Sequence, residues 1–327
     1  MHFHIARKGH VFEPGKHFAQ CHASTVLLLG DDALCAWFGG SHEGHPDVAI
    51  WAARRSRGAW SDPTVVADAD GVPCWNPVLM GDGDRIFLFF KGGPNPRTWR
   101  TLMVVSVDGG RTWSPPKELV HGDVGGRGPA KNKAIVLSDG AWLAPSSVET
   151  DACWDAFVDR SCDCGENWSR SGLVPIDHGS LRGKGIIQPT LWESAPGTVH
   201  MLLRSSEGSI YRSDSRDLGE SWCPACATGL PNNNSGIDLV RMADRRLVLV
   251  FNPVAGDWGA RTPIVCRMSE DNGETWCENF VLDHNEKPKD KQDGEFSYPA
   301  IVAEQDRVFI TYTWKRRTIE FCELTVS

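Results

Sequence analysis

Short apolar runs separated by turn residues dominate the chain. "TVLLL", "ALCAWF", "VAIWAA", "RIFLFF", "TLMVVS" and "RLVLVF" are set between stretches rich in Gly, Asn, Asp and Pro. Runs of this length, rich in β-branched and aromatic residues, predict strands closed by turns. No long stretch keeps its apolar residues at helical spacing. The pattern predicts an all-β protein.

A longer period overlies the strands. Four segments fit S-x-D-x-G-x-x-W: "SVDGGRTW", "SCDCGENW", "SRDLGESW" and "SEDNGETW". Their aspartates are Asp108, Asp163, Asp217 and Asp271, spaced by 55, 54 and 54 residues. A worn fifth copy, Ser56 to Trp60, lies 53 residues before Trp113. The residue types suit a tight turn between two strands. Asp can accept backbone N–H bonds across it, Gly can take a positive φ, and Trp can fold back over the hairpin. Four short strands fill one period, which is one propeller blade. Dividing 327 residues by 54 predicts a six-bladed β-propeller with these hairpins, spanning 1–327 as a single catalytic domain. The C-terminal segment builds the last blade and the N-terminal strand closes it. A β-sandwich would not explain the constant period.

The period also aligns the starts of the innermost strands. His22, Asn76, Lys133, Gln188, Ser235 and Tyr298 fall at successive blade starts, and Pro follows three of them. Residues at one end of such strands converge on the propeller axis. Six polar residues in register point to a shared ligand site rather than to polar flanks of unrelated strands. Ends of neighbouring strands add Glu43 and Asp47 in "SHEGHPD", Lys91, Glu149, Arg204 and Arg261, with Lys131 to Lys133 in "KNK". The expected floor is cationic, which suits a carboxylate because an arginine fork pairs with it bidentately. Arg54, Arg55, Arg316 and Arg317 are expected on the surface.

Charge and composition narrow the function. The net charge of −8 gives no electrostatic support for nucleic-acid binding. No apolar stretch approaches the ~20 residues of a membrane helix, and the polar N-terminus lacks a secretory apolar segment. A cytoplasmic location is expected. The eleven cysteines read as free thiols. Cys223 and Cys226 form one CxxC with no second pair to close a zinc site, so no metal and no cofactor is expected.

The sequence resembles the sialidase (neuraminidase) superfamily over essentially its whole length. The S-x-D-x-G-x-x-W segments look like its Asp boxes. "CHAST", "AWFGGSHEG", "GPAKNK", "IIQPTLWES" and "FSYPAIV" look like the bacterial group of BNR-repeat predicted neuraminidases. The resemblance implies a carboxylate-binding arginine triad, a tyrosine nucleophile with a glutamate partner, and an acid/base aspartate on a first-blade loop. By position, Arg204 and Arg261 match two of the arginines and Tyr298 the nucleophile. Asp47, or else Glu43, matches the acid/base. The chain departs from the pattern twice. His22 stands where the first arginine is expected, and Gln188 stands where the glutamate is expected.

Three functions are compatible with these residues. The first is exo-hydrolysis of a terminal acidic sugar, a sialic or related ulosonic acid, from a small oligosaccharide or glycoside. Tyr298 would attack, Asp47 would protonate the leaving oxygen, and Arg204 and Arg261 would clamp the carboxylate. Asn76, Gln188, Lys91 and Lys133 would bind substrate, and His22 or Glu295 would activate Tyr298. The second is a lyase acting on a uronate through His22 and Tyr298. The third is a propeller that binds a sugar acid without turning it over.

Overall fold

The computed structural model describes residues 2–327. Six antiparallel sheets follow one another along the chain. Their innermost strands are Gln20–Leu29, Cys74–Asp82, Ile135–Val136, Ile186–Ala195, Asp238–Arg241 and Phe296–Glu304. The arrangement is a six-bladed β-propeller. Blade six takes its outermost strand, Phe3–His10, from the other end of the chain, paired antiparallel to Thr318–Val326. Among the described residues the only helical element is a 3₁₀ turn at His178–Ser180. No helix among the described residues is long and apolar enough to cross a membrane.

The apolar runs bury both faces of each sheet. Six hydrophobic clusters form, one between each pair of neighbouring blades. Leu143, Val158 and Met201 fill the gap between blades three and four. Val11, Trp37 and Phe321 seal blade six against blade one. Arg55 is buried in that seam, its guanidinium 5.2 Å from the Phe321 ring centre, rather than lying on the surface.

Each Asp box solves the same turn. The Asp217 carboxylate accepts the Ser221 N–H at 2.9 Å, and Ser215 Oγ accepts the Gly219 N–H at 2.9 Å. Trp222 Nε1 closes on the Gly219 carbonyl at 3.1 Å. Asp108, Asp163 and Asp271 repeat the carboxylate bond. These bonds favour the charged form, which holds Asp163 and Asp271 near a pKa of about 2. Gly219 has φ of 86°, and a Cβ there would lie 2.9 Å from Leu143 of the preceding blade. The turn thus needs glycine for its backbone and for its packing on the preceding blade.

The inner strands share a second irregularity, which aims side chains at the axis. Ladder pairing skips two residues in four of them: Ala23–Ser24, Asn76–Pro77, Gln188–Pro189 and Tyr298–Pro299. The first residue of each pair has positive φ: 55°, 40°, 52° and 53°. Proline suits the second position because it has no N–H to leave unpaired. Such a bulge turns the preceding side chain out of the sheet alternation. Asn76, Gln188 and Tyr298 are therefore equivalent, whereas His22 precedes its bulge by one residue. Ser235 is likewise out of register, since the positive-φ residue of blade five is Asn234, at 55°.

Beneath this ring the "KNK" segment ties the blades together instead of lining a site. Lys133 Nζ lies 2.9 Å from the buried Asp238 carboxylate, which also accepts from Thr190 of blade four and the Ile301 N–H of blade six. Lys131 Nζ donates to the carbonyls of Ile237 and Pro299, and Asn132 to those of Gln188 and Pro189.

Gly219→Ala is expected to destabilise the fold by about 2–3 kcal/mol, because strain and contact with Leu143 add. Gly197→Ala has a similar φ of 80° but nothing within 4 Å, so it should cost only about 1 kcal/mol. Urea unfolding midpoints of the two variants test the difference.

Candidate active site

One cavity of about 300 Å³ opens at the bulged ends of the inner strands. Tyr298, Gln188, Asn76 and His22 line it, with Arg204, Arg261 and Arg316. Glu43, Glu149 and Lys291 add charge, and Trp75, Trp99 and Trp258 form apolar walls. The sequence register therefore brings its central residues together, and one arginine expected on the surface joins them.

Tyr298 is the focus of the bonding. Its hydroxyl lies 2.6 Å from Arg204 Nη1, and the same nitrogen donates to Gln188 Oε1 at 2.9 Å. Arg204 Nε donates to Asn234 Oδ1 at 2.7 Å, which fixes the plane of the guanidinium. A donor at the phenol oxygen stabilises its anion. The His22 ring packs 4.1 Å from the Tyr298 ring centre. His22 Nδ1 pairs with Thr313 Oγ1 at 2.8 Å, and that oxygen already accepts the Ala23 N–H at 3.2 Å. Burial, then the charges of Arg316 and Arg261, push the His22 pKa well below its usual value. The ring is neutral at pH 7.

Glu295 anchors the other two arginines. Its buried carboxylate accepts from Arg261 Nη1 at 2.6 Å, Arg316 Nε at 2.9 Å and Ser297 Oγ at 2.9 Å. Burial alone would raise its pKa, but Arg261 and Arg316 together bring it below the ordinary value. Arg316 also pairs with Glu43. The Nη2 of Arg204, Arg261 and Arg316 makes no hydrogen bond to protein among the described residues. Three guanidinium donors from blades four, five and six thus remain for an anion.

Four expected ligands stand elsewhere or are engaged. Lys91 is fully buried, bonded to Thr101 Oγ1 at 2.6 Å and to the Arg127 carbonyl at 2.9 Å. Burial lowers its pKa to about 7. Lys133 is held by Asp238. Asp47 is outside the cavity lining and exposed. Ser41 and His45 bond its carboxylate and hold its pKa near 2, so it is a poor proton donor at neutral pH. Glu43 does line the cavity, but as the partner of Arg316. Trp99, Trp258 and Lys291 were not legible in the sequence, because the loops carrying them have no fixed place in the repeat, while Trp75 immediately precedes Asn76 on the inner strand of blade two.

One group of side chains could meet a metal. Cys153, Asp155 and His178 each bring a ligand atom within 4.8 Å of the others. His178 Nε2 lies 2.8 Å from Asp155 Oδ1, and that hydrogen bond accounts for the approach of these two. Cys223 and Cys226 are exposed free thiols.

The chain belongs to the BNR repeat-like domain family, which matches residues 31–310. Its fold is that of the sialidases. NanB sialidase from Streptococcus pneumoniae superposes with a TM-score of 0.75 at 11% identity, covering 97% of this chain and 70% of NanB. Trypanosoma rangeli sialidase in complex with the inhibitor DANA gives 0.73 at 12% identity, over 97% of this chain and 59% of that one. A protein of unknown function from Dyadobacter fermentans gives 0.78 at 16% identity, over 99% of both chains. No curated protein sequence matches the chain.

Glu295→Gln is expected to destabilise the protein by about 3–5 kcal/mol at pH 7, because Arg261 and Arg316 lose a buried counter-charge. A carboxylate with a depressed folded pKa stabilises above its unfolded value of about 4.3, and that contribution fades as pH falls through the folded value. The gap between wild type and variant should therefore narrow below about pH 4. Denaturant unfolding across pH measures it.

Proposed function

We propose that the protein is an exo-glycosidase that hydrolyses a terminal acidic sugar, a sialic or related ulosonic acid, from a small oligosaccharide or glycoside. The observation that carries this reading is the set of three unpaired Nη2 donors of Arg204, Arg261 and Arg316, in one cavity with Tyr298. Arg316 contributes the third cation that His22 cannot. The reading takes residues 1–327 as one catalytic unit. All eleven cysteines are free, which supports action in a reducing compartment such as the cytoplasm.

In this mechanism the arginines bind the carboxylate and set the anomeric carbon over Tyr298. A phenol suits attack beside a carboxylate, since an anionic nucleophile would be repelled. Gln188 cannot take the phenol proton. Neutral His22, whose ring lies 4.1 Å from that of Tyr298, takes the proton instead, and Arg204 stabilises the developing phenolate. Tyr298 Oη bonds to the anomeric carbon as the glycosidic C–O bond breaks. Water then displaces the tyrosine, so the configuration is retained.

The close approach of the His22 and Tyr298 rings also favours a second reading, β-elimination from a uronate. There His22 would take the α-proton while arginine neutralises the carboxylate. New ultraviolet absorbance from an unsaturated uronate distinguishes this reaction from hydrolysis. Binding of a sugar acid without turnover would leave the protein as a lectin-like propeller.

Tyr298→Phe should lose hydrolysis of acidic glycosides by at least ~10³-fold while keeping affinity for the free sugar acid. Arg204→Met should weaken that binding ~10²-fold. Calorimetry and a product-release screen provide both readouts. Full activity of Tyr298→Phe would rule out the phenol as nucleophile.

A further inference from the structure

The proposed hydrolysis needs a proton for the leaving oxygen, and the position expected to supply it, Asp47, is outside the cavity. We propose that Glu149 is the general acid of this site, and the base of the second half-reaction. This inference rests on the glycosidase reading above.

The argument begins with which carboxyl groups are available. Glu295 is saturated by Arg261, Arg316 and Ser297, and Glu43 is paired with Arg316. Glu149 also lines the cavity, yet its carboxyl makes no hydrogen bond or ion pair among the described residues. Its carboxyl is half-buried, and a carboxyl on a cavity wall without a partner is uncommon, because its partial desolvation is uncompensated. Burial raises its pKa, against the opposing pull of Arg204 and Lys184. A raised value suits a group that must carry a proton near neutral pH.

Its position suits the same role. Glu149 ends the strand Trp142–Glu149 of blade three and pairs in register with Trp154. The hairpin is closed by Thr150 N–H to the Cys153 carbonyl at 2.9 Å, while Thr150 Oγ1 accepts the Cys153 N–H at 2.9 Å. Trp154 packs beside Arg204, 5.9 Å from its guanidinium carbon. Glu149 is thus held on a short, capped turn whose neighbour supports the carboxylate clamp. Blade three lies across the axis from blade six, which carries Tyr298. Nucleophile and acid are then carried by opposite blades and line one cavity.

The proton balance is simple. As Tyr298 Oη bonds to the anomeric carbon, Glu149 gives its proton to the departing glycosidic oxygen. Glu149 then takes a proton from the incoming water as that water displaces Tyr298. The phenolate recovers the proton held by His22, which restores the resting state.

The test compares wild type, Glu149→Gln and Tyr298→Phe on two acidic glycosides, one with an alkyl or sugar leaving group and one with an activated aryl group. Glu149→Gln should lose ~10²–10³-fold in kcat on the first and less than ~10-fold on the second. It should also lose the alkaline limb of the pH–rate profile. Tyr298→Phe should lose both substrates. Equal losses on the two substrates, or a change in KM alone with the alkaline limb intact, would assign Glu149 to binding and overturn the proposal while leaving the glycosidase reading standing. Absence of wild-type turnover on any acidic glycoside overturns both. A readout independent of turnover is stability against pH. A carboxyl with a raised folded pKa contributes stability below its unfolded value of about 4.3 and loses it as pH rises through the folded value. The melting temperature of Glu149→Gln relative to wild type should therefore climb as pH rises from about 4 to about 8. A constant difference would show that Glu149 is not held protonated.

Discussion

Three guanidinium groups converge on one cavity, and their mutual repulsion must be offset before any ligand arrives. The buried carboxylate of Glu295 does this for two of them, holding Arg261 and Arg316 through separate nitrogens. Arg204 is held by neutral groups instead, Asn234, Gln188 and Tyr298. The two modes of support leave one edge of each arginine unbonded. The same balance of charge, with burial, keeps His22 neutral and leaves the Tyr298 hydroxyl beside a cation. Much of the cavity's chemistry depends on that one anion placed behind the arginines rather than among them.

The backbone makes a comparable choice at four blades. A positive-φ residue in a strand costs of order 1–2 kcal/mol, and the propeller accepts it at Ala23, Asn76, Gln188 and Tyr298. The return is directional. A bulge followed by proline carries a side chain out of the sheet and towards the axis without leaving a donor unpaired. The six inter-blade clusters supply the burial that over-determines these conformations. Strain of this kind concentrates where a site is pre-organised, and here all three of the larger side chains on bulges line the cavity.

Much of the fold was legible because it repeats. The 54-residue period of the Asp boxes reports a hairpin whose bonds are local, within eight residues, so the motif alone specifies them. Counting periods then counted blades. The funnel was legible in part. Asn76, Gln188 and Tyr298 are equivalent because proline marks each bulge. Blade one has Ala23–Ser24 at the bulge, and without that proline the register slipped by one, onto His22. In blade three the inner strand is short, and the "KNK" lysines that looked like ligands turn inward to carbonyls and to Asp238.

By itself the sequence determined the strands, the turns, the number of blades and three of the strand starts that face the axis, Asn76, Gln188 and Tyr298, because each depends on spacing within one repeat. Only the tertiary structure decided the partners. Arg316 follows the strand Arg307–Trp314 and looks like any exposed basic turn until Glu295 and Glu43 are seen beside it. Lys91 looks like a ligand until Thr101 and Arg127 close around it. Asp47 and Glu149 are both carboxylates near strand ends. Ser41 and His45 bond the Asp47 carboxylate within its own loop, whereas Glu149 faces a cavity wall shared with Arg204 and Trp258 of other blades. That second environment is set by packing between segments far apart in sequence, to which a periodic pattern is blind.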